Sequence, residues 1–407
     1  MQRSVVFLTL VFASVSPAYA QEISRSLSFA SPIVFRSIGS YPTGIAAGDF
    51  NNDGIPDLIV GDLELSGASV ALGNGNGTFG SWGGVCGTGG PPNVVAVGKF
   101  DGQNLDALAN DMEDGLAAVC LGDGTGDFSG GGTFVVNQLT TVTGFAVADF
   151  NRDHNQDVAL ITEQQGFPVG QLLVFLGNGD GTFQQPKVLN TTTNPVAVAA
   201  GDFNGDGNPD LVVLTNDPND DGGYVAVLLG DGKGGFSRPI LFRIPEERPR
   251  QLGSSPPSAI AVGDFNGDHN LDVAVSMSDW TSNDSSFVLI LLGNGDGTFR
   301  KGQLTQAGPN PMSVAVADFN GDGIPDLVTD NARCATGCNG PGSFSVLLGN
   351  GDGTFLQPQT FFVNGEFPGF VVADFNGDGK PDVATANADS GTISVVLNTT
   401  PWPSKKK

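Results

Sequence analysis

The sequence predicts an all-β chain, a seven-bladed β-propeller of four-stranded antiparallel blades whose last blade is closed by the N-terminal strand. Three observations predict it. A nine-residue acidic motif recurs seven times, starting at positions 49, 99, 149, 202, 264, 318 and 374, and its mean period of about 54 residues suits one supersecondary unit per repeat. Short runs of Val, Ala, Leu and Ile flank each copy, with no amphipathic helical stretch beside them. Glycine supplies 60 of 407 residues while charged residues make up only 15%, a composition that favours short strands joined by tight turns.

Read from the amino terminus, residues 1–20 carry Arg3, an apolar run from Val5 to Val15 and Ala18-Tyr19-Ala20 before Gln21, the pattern of a cleaved export signal. That run is too short to span a bilayer, and no later stretch reaches the roughly eighteen apolar residues of a transmembrane helix. The expected product is a soluble chain that is secreted, periplasmic or at a cell surface, with the propeller in residues 21–400 and a short tail in residues 401–407.

Every repeat then follows one order: a turn containing Pro or Gly, a strand of Val and small residues, the acidic motif, a second apolar strand, a variable loop, and a third strand ending in a glycine-rich turn. First strands such as Val196-Ala-Val-Ala-Ala-Gly201 and Val314-Ala-Val-Ala317 keep their side chains small, as a crowded central axis requires. The turns Leu176-Gly-Asn-Gly-Asp-Gly-Thr-Phe183, Leu292-Gly-Asn-Gly-Asp-Gly-Thr-Phe299 and Leu348-Gly-Asn-Gly-Asp-Gly-Thr-Phe355 supply the positive φ of a tight hairpin. A fourth strand must therefore return antiparallel. A calcium β-roll, the competing repeat architecture, needs a period of about nine residues and a sustained Gly-Gly-x-Gly-x-Asp pattern that this chain lacks. The last repeat runs through Ile393 to Leu397 and Asn398-Thr-Thr400 without a fourth strand of its own. Leu27-Ser-Phe29-Ala-Ser-Pro32-Ile-Val-Phe35 carries the Phe-x-x-Pro pattern found at Phe183 to Pro186 and Phe355 to Pro358, so it is expected to complete that blade.

In six copies the acidic motif reads Asp-Phe-Asn-x-Asp-x-x-x-Asp. Side-chain oxygens at positions 1, 3, 5 and 9, with a free backbone carbonyl at position 7, make the hard-oxygen array that calcium prefers over softer metals. The candidate ligands are Asp49, Asn51, Asp53, Ile55 and Asp57; Asp149, Asn151, Asp153, Asn155 and Asp157; Asp202, Asn204, Asp206, Asn208 and Asp210; Asp264, Asn266, Asp268, Asn270 and Asp272; Asp318, Asn320, Asp322, Ile324 and Asp326; and Asp374, Asn376, Asp378, Lys380 and Asp382. Position 7 contributes only its carbonyl. About six calcium ions are expected, chiefly as structural staples between the first two strands of each blade. An EF-hand would continue to a bidentate Glu at position 12 and a helix, whereas strands follow here. Position 6 is Gly54, Gly207, Gly323, Gly379 or one of the chain's two histidines, His154 and His269, as a turn needing positive φ would have it.

The remaining copy, Lys99 to Asp106, has lost its first Asp and is one residue short. No calcium is expected there; the Lys99 ammonium either takes the cation's place beside Asp101 and Asp106 or is simply exposed to solvent. The Asp residues of the glycine-rich turns read as hairpin residues and not as a second metal site.

The formal net charge is −25. Six divalent ions would leave it negative, which argues against nucleic acid and anionic lipid as partners. Four cysteines suit an oxidising compartment. Cys334 and Cys338 close a small loop and are expected to be bridged; Cys86 and Cys120 either bridge neighbouring repeats or stay free, since spacing does not fix connectivity. A zinc site is not expected, because both histidines belong to acidic loops.

Acidic loops and hairpin turns should share one face, leaving the connections between second and third strands on the other. These are Gln164 to Gly170, Asn216 to Tyr224, Asp279 to Ser286 and Asn331 to Ser343, where a rigid scaffold would carry binding. Trp280 and Tyr224 could stack on a sugar or anchor a protein, with Asp220, Asp221 and Arg333 as polar contacts. There is no Gly-x-Ser-x-Gly elbow, no histidine free for a triad, and no phosphate-binding glycine motif beside a helix. Glu246 with Glu247, or Asp217 with Asp220, are the carboxylate pairs available to a glycosidase, and nothing in their spacing brings them to a defined separation.

Taken together, Asp-Phe-Asn-Gly-Asp-Gly-x-Pro-Asp followed by Leu-Gly-Asn-Gly-Asp-Gly-Thr-Phe resembles the FG-GAP/VCBS repeat, and is similar to the calcium-bearing propeller of integrin α subunits and to certain fungal lectins. The resemblance covers nearly the whole mature chain. It implies a calcium-stabilised propeller used for adhesion, sugar binding or sometimes catalysis. The expected function is a monomeric, non-enzymatic binding or adhesion module for an extracellular protein or glycan. A calcium-dependent lectin and a polysaccharide-degrading enzyme are the alternatives.

Overall fold

The computed structural model describes residues 26–403 apart from 136–139, 165–169, 192–193, 217–222, 245–256, 279–285, 332–341, 364 and 366–368. The export signal, Cys334, Cys338, Trp280, Arg333, Asp217, Asp220, Asp221, Glu246 and Glu247 therefore lie outside the described residues.

The N-terminal strand is β1 (Ile33–Arg36). Blade 1 follows as β2 (Pro42–Gly48), β3 (Asp57–Asp62), β4 (Gly67–Gly73) and β5 (Phe79–Gly87), and blade 2 as β6 (Val95–Gly98), β7 (Asp106–Asp111), β8 (Leu116–Gly122) and β9 (Phe128–Val135). Blade 3 comprises β10 (Thr140–Ala148), β11 (Asp157–Gln164), β12 (Leu172–Phe175) and β13 (Lys187–Leu189); blade 4 comprises β14 (Asn194–Gly201), β15 (Asp210–Asn216), β16 (Gly223–Leu228) and β17 (Ile240–Arg243). Blade 5 has β18 (Pro257–Gly263), β19 (Asp272–Met277), β20 (Phe287–Gly293) and β21 (Phe299–Gln306), and blade 6 has β22 (Val314–Ala317), β23 (Asp326–Asn331), β24 (Ser343–Leu347) and β25 (Gln359–Phe362). Blade 7 contributes β26 (Gly369–Ala373), β27 (Asp382–Asn387) and β28 (Thr392–Val396), and its sheet runs β1-β28-β27-β26. All seven sheets are four-stranded and antiparallel, and the N-terminal strand closes the ring, as expected.

Small first-strand residues are explained by their position. They line an apolar axial cavity of about 300 Å³ with Val95, Val97, Phe145, Val147, Ala199 and Val371 on its wall. Each first and second strand are joined through the acidic motif in one register: Gly48 faces Asp57, Gly98 faces Asp106, Ala148 faces Asp157, Gly201 faces Asp210, Gly263 faces Asp272, Ala317 faces Asp326 and Ala373 faces Asp382.

The core lies between blades. Seven buried clusters each join two neighbouring blades, so no blade buries its apolar faces alone. At every interface the motif's Phe meets a fourth-strand Phe of the next blade, as in Phe50 with Phe128 (6.1 Å), Phe150 with Phe236 (5.5 Å) and Phe265 with Phe355 (5.5 Å). Edge-to-face pairs of this kind add about 0.5–1.5 kcal/mol each beyond the area they bury. At the closing seam Phe29 supplies the missing ring, 6.1 Å from Phe319.

Cys86 and Cys120 form a disulfide between the outer strand of blade 1 and the third strand of blade 2, with a sequence separation of 34. Constraining a loop of that length in the unfolded chain is worth about 3–4 kcal/mol in the chain-entropy account. Cys86→Ala/Cys120→Ala should lower the urea midpoint, with a larger m-value because the unfolded chain without the cross-link exposes more surface. An unmoved midpoint would show that the bridge adds nothing to the packing around it.

Candidate metal centres

Each acidic loop is held by its own backbone. In the six intact copies the position 1 carboxylate (Asp49, Asp149, Asp202, Asp264, Asp318, Asp374) accepts the N–H of position 5 at 3.0–3.2 Å and of position 6 at 2.7–2.9 Å. The position 3 amide oxygen accepts the same position 5 N–H, and the position 5 carboxylate accepts the N–H of position 7. These bonds turn the oxygens of positions 1, 3 and 5 onto one small concave loop. Closing it takes positive φ at position 6, with Gly54 at 82° and Gly207 at 81°, and even the two histidines comply, His154 at 70° and His269 at 69°. The histidines thus serve the turn, where L side chains are rarely found.

Position 9 has a second task. Asp57, Asp157, Asp210, Asp272, Asp326 and Asp382 are fully buried. One oxygen takes the N–H of the motif Phe at 2.8–3.0 Å, and the other takes the first N–H of the hairpin (Gly73, Gly177, Gly230, Gly293, Gly349 or Asn398) at 2.7–2.8 Å. This carboxylate fastens loop to hairpin, and places both on one face. Burial is the main cause that pushes Asp157 and Asp210 up to about 6 and Asp272 and Asp382 up to about 7, with the position 1 and 5 carboxylates adding to it.

The donor set fits calcium. It is all oxygen and carries three carboxylates per loop; each position 9 oxygen accepts one N–H and keeps a second lone pair, whereas Oδ1 of Asp202, Asp264 and Asp318 accepts two N–H groups. Among the described residues no three His, Cys, Asp or Glu side chains converge as a metal cluster. In the last loop the Lys380 ammonium reaches Asp378 at 3.2 Å and would have to yield to an ion.

The damaged loop decides between the two readings of Lys99. Lys99 does not replace the cation: its side chain is exposed, with no ion pair among the described residues. Asp106 is instead satisfied by the N–H groups of Phe100 at 2.6 Å, Asp101 at 3.2 Å and Gly122 at 2.9 Å. The position 9 fastening therefore survives where positions 1 and 5 are lost.

A second feature escaped sequence reasoning. In blades 1–6 the hairpin glycine N–H donates to the carbonyl of the motif Phe in the preceding blade: Gly77 to Phe375, Gly126 to Phe50, Gly181 to Phe100, Gly234 to Phe150, Gly297 to Phe203 and Gly353 to Phe265, at 2.9–3.1 Å. The signal was present in the co-recurrence of Asp-Phe-Asn and Gly-Thr-Phe, which form one inter-blade contact. Of the candidate binding residues, Tyr224 is half-buried on β16 opposite Thr215 and Arg243.

The sequence matches the FG-GAP-like repeat over residues 161–213, 202–275, 278–329 and 334–399, and the FG-GAP repeat over residues 41–62. These matches cover more than half of the chain, and the protein belongs to the FG-GAP repeat family. It is 27% identical over 232 residues to integrin alpha pat-2 of Caenorhabditis briggsae, covering 49% of this chain and 18% of that protein. It is 26% identical over 252 residues to the T-cell immunomodulatory protein of Rattus norvegicus, covering 58% and 36% respectively. The chain thus spans about a fifth to a third of the length of these relatives. Its fold is similar to that of BBS1N in complex with ARL6DN, at a TM-score of 0.59 and 12% identity over 93% of this chain and 98% of that one. Among the described residues no helix is long and apolar enough to cross a membrane.

Proposed function

We propose that this chain is an exported, calcium-stabilised propeller that acts as a non-enzymatic binding module for an extracellular protein partner. The observation that carries the reading is repetition. Six loops with one donor set stand at equivalent places around a closed ring, which suits a set of staples better than a single reaction centre. Bound calcium would be held by the side-chain oxygens of positions 1, 3, 5 and 9 and the carbonyl of position 7, and would neutralise carboxylates that otherwise repel one another. The relation to an integrin alpha chain supports protein binding. Partner contacts are assigned to the face opposite the acidic loops. Between second and third strands the chain runs through residues 165–171, 217–222, 278–286 and 332–342 in blades 3–6, longer stretches than the turns 63–66, 112–115 and 388–391 of blades 1, 2 and 7.

Immobilised mature chain should retain a protein from an extracellular library in calcium, and lose it when the connection at 278–286 is replaced by a turn like 63–66. Retention of one glycan class on an array with no protein retained would replace this reading with a lectin. Turnover of a polysaccharide would replace it with an enzyme.

A further inference from the structure

The sixth acidic loop is covered differently from the others. Blade 7 has no glycine hairpin to reach back to blade 6, and the carbonyl of Phe319 accepts instead the Asn398 amide at 2.9 Å and the Trp402 indole N–H at 3.2 Å. The indole packs against the loop itself. A Cβ added to Gly321 would collide with Trp402 Cδ2 and Cγ, whereas nothing lies within 4 Å of the equivalent Gly205 and Gly377. Exposure follows the same contrast. Asn320 is 3% exposed, and Asp322 is half-buried where Asp53, Asp153, Asp206, Asp268 and Asp378 are exposed.

We propose that Trp402 is a strap over the sixth calcium loop. An ion held by Asp318, Asn320, Asp322, Asp326 and the Ile324 carbonyl would exchange only when residues 401–403 lift away, and its presence would in turn hold the tail down. Reciprocity is required by linkage: whatever the docked tail contributes to ion affinity, the ion contributes to tail docking. Among the described residues no indole covers the five other intact loops, which would exchange directly with solvent. This inference rests on the calcium reading above.

Terbium substituted for calcium in the full mature chain tests it, because an indole packed on a loop sensitises emission from an ion in that loop. Tryptophan excitation should give strong terbium emission that Trp402→Phe abolishes, while equilibrium dialysis still counts the same number of bound ions. On mixing with excess chelator, one ion should leave about tenfold more slowly than the rest, as for a site open only about a tenth of the time. Trp402→Phe keeps a ring on Gly321 and should keep most of the slow phase. Trp402→Gly should merge it with the fast one, in a protein that still melts cooperatively in calcium. A single release phase in the intact chain, or a slow phase that survives Trp402→Gly, overturns the strap and leaves the calcium reading standing. Dialysis showing no bound ion overturns both.

Discussion

In excess chelator the mature chain is expected to melt far below its temperature in millimolar calcium. Extracellular calcium modules bind at about 10⁻⁴ to 10⁻³ M, so a tenfold excess of ion adds about 1.4 kcal/mol at each loop and about 8 kcal/mol over six. Ordinary domains have a net stability of only about 5–15 kcal/mol. Chelation should therefore remove a large part of the stability of the ring. An identical melt with and without metal would eliminate structural calcium.

The pH dependence of that effect has a definite sign. Buried position 9 carboxyls stand at about 6 in Asp157 and Asp210 and about 7 in Asp272 and Asp382, against about 3.9 in an unfolded chain. Between those values the native chain binds more protons than the unfolded one. In chelator the contribution of these carboxyls is thus fully present below about pH 4 and is lost as pH rises through about 7. Relief of self-repulsion in a chain of net charge −25 acts in the same direction. Calcium should reverse the trend, because an ion bound at these loops would take the ionised carboxylates and displace their protons. Melting curves in chelator should fall with pH while those in calcium hold or rise, so that the gap between them widens toward neutral pH.

What was legible in the sequence is what repetition and backbone conformation leave in side chains. The period, the small axial residues and the Phe-x-x-Pro segment around Phe29 sufficed for seven blades and their closure. Gly or His at position 6 reported a turn whose φ is positive in every intact copy. The rest depended on backbone donors, which any residue except proline supplies and which therefore leave no mark. That is why Lys99 could be read as a substitute cation: the three N–H groups that satisfy Asp106 are invisible in the sequence. It is also why position 9 read only as a metal ligand, when its buried carboxylate ties the motif Phe to the hairpin. Trp402 went unread for a different reason, since a tail residue outside the repeat has no counterpart to compare. The pairing of Cys86 with Cys120 became decidable only once the ring set the outer strand of blade 1 beside the third strand of blade 2.

Removal of residues 21–36 should open the ring. The deletion strips β1 from β28, where Ile33 faces Val395 and Phe35 faces Ile393, and with it the bonds from Ala30 N–H to Leu397 O (2.8 Å) and from Thr399 N–H to Ser28 O (2.9 Å). Phe29 leaves a gap among Phe319, Phe344 and Phe361, whose ring centroids lie 6.1, 5.2 and 4.6 Å from its own. Loss of that half-buried ring alone, as in Phe29→Ala, should cost about 2–3 kcal/mol, below the figure for a fully buried Phe. The full deletion should cost more, because it also leaves β28 as an unpaired edge that invites association with other chains. Strand addition offers the control: a synthetic peptide of residues 21–36 should bind the truncated chain, restore its melting temperature and suppress its association. Phe29→Ala in that peptide should weaken the rescue in proportion. If the truncated chain melts with the intact one, the N-terminal strand does not hold the last blade, and the packing of β26 and β27 on blade 1, with the Phe79–Phe375 pair, suffices to close the ring.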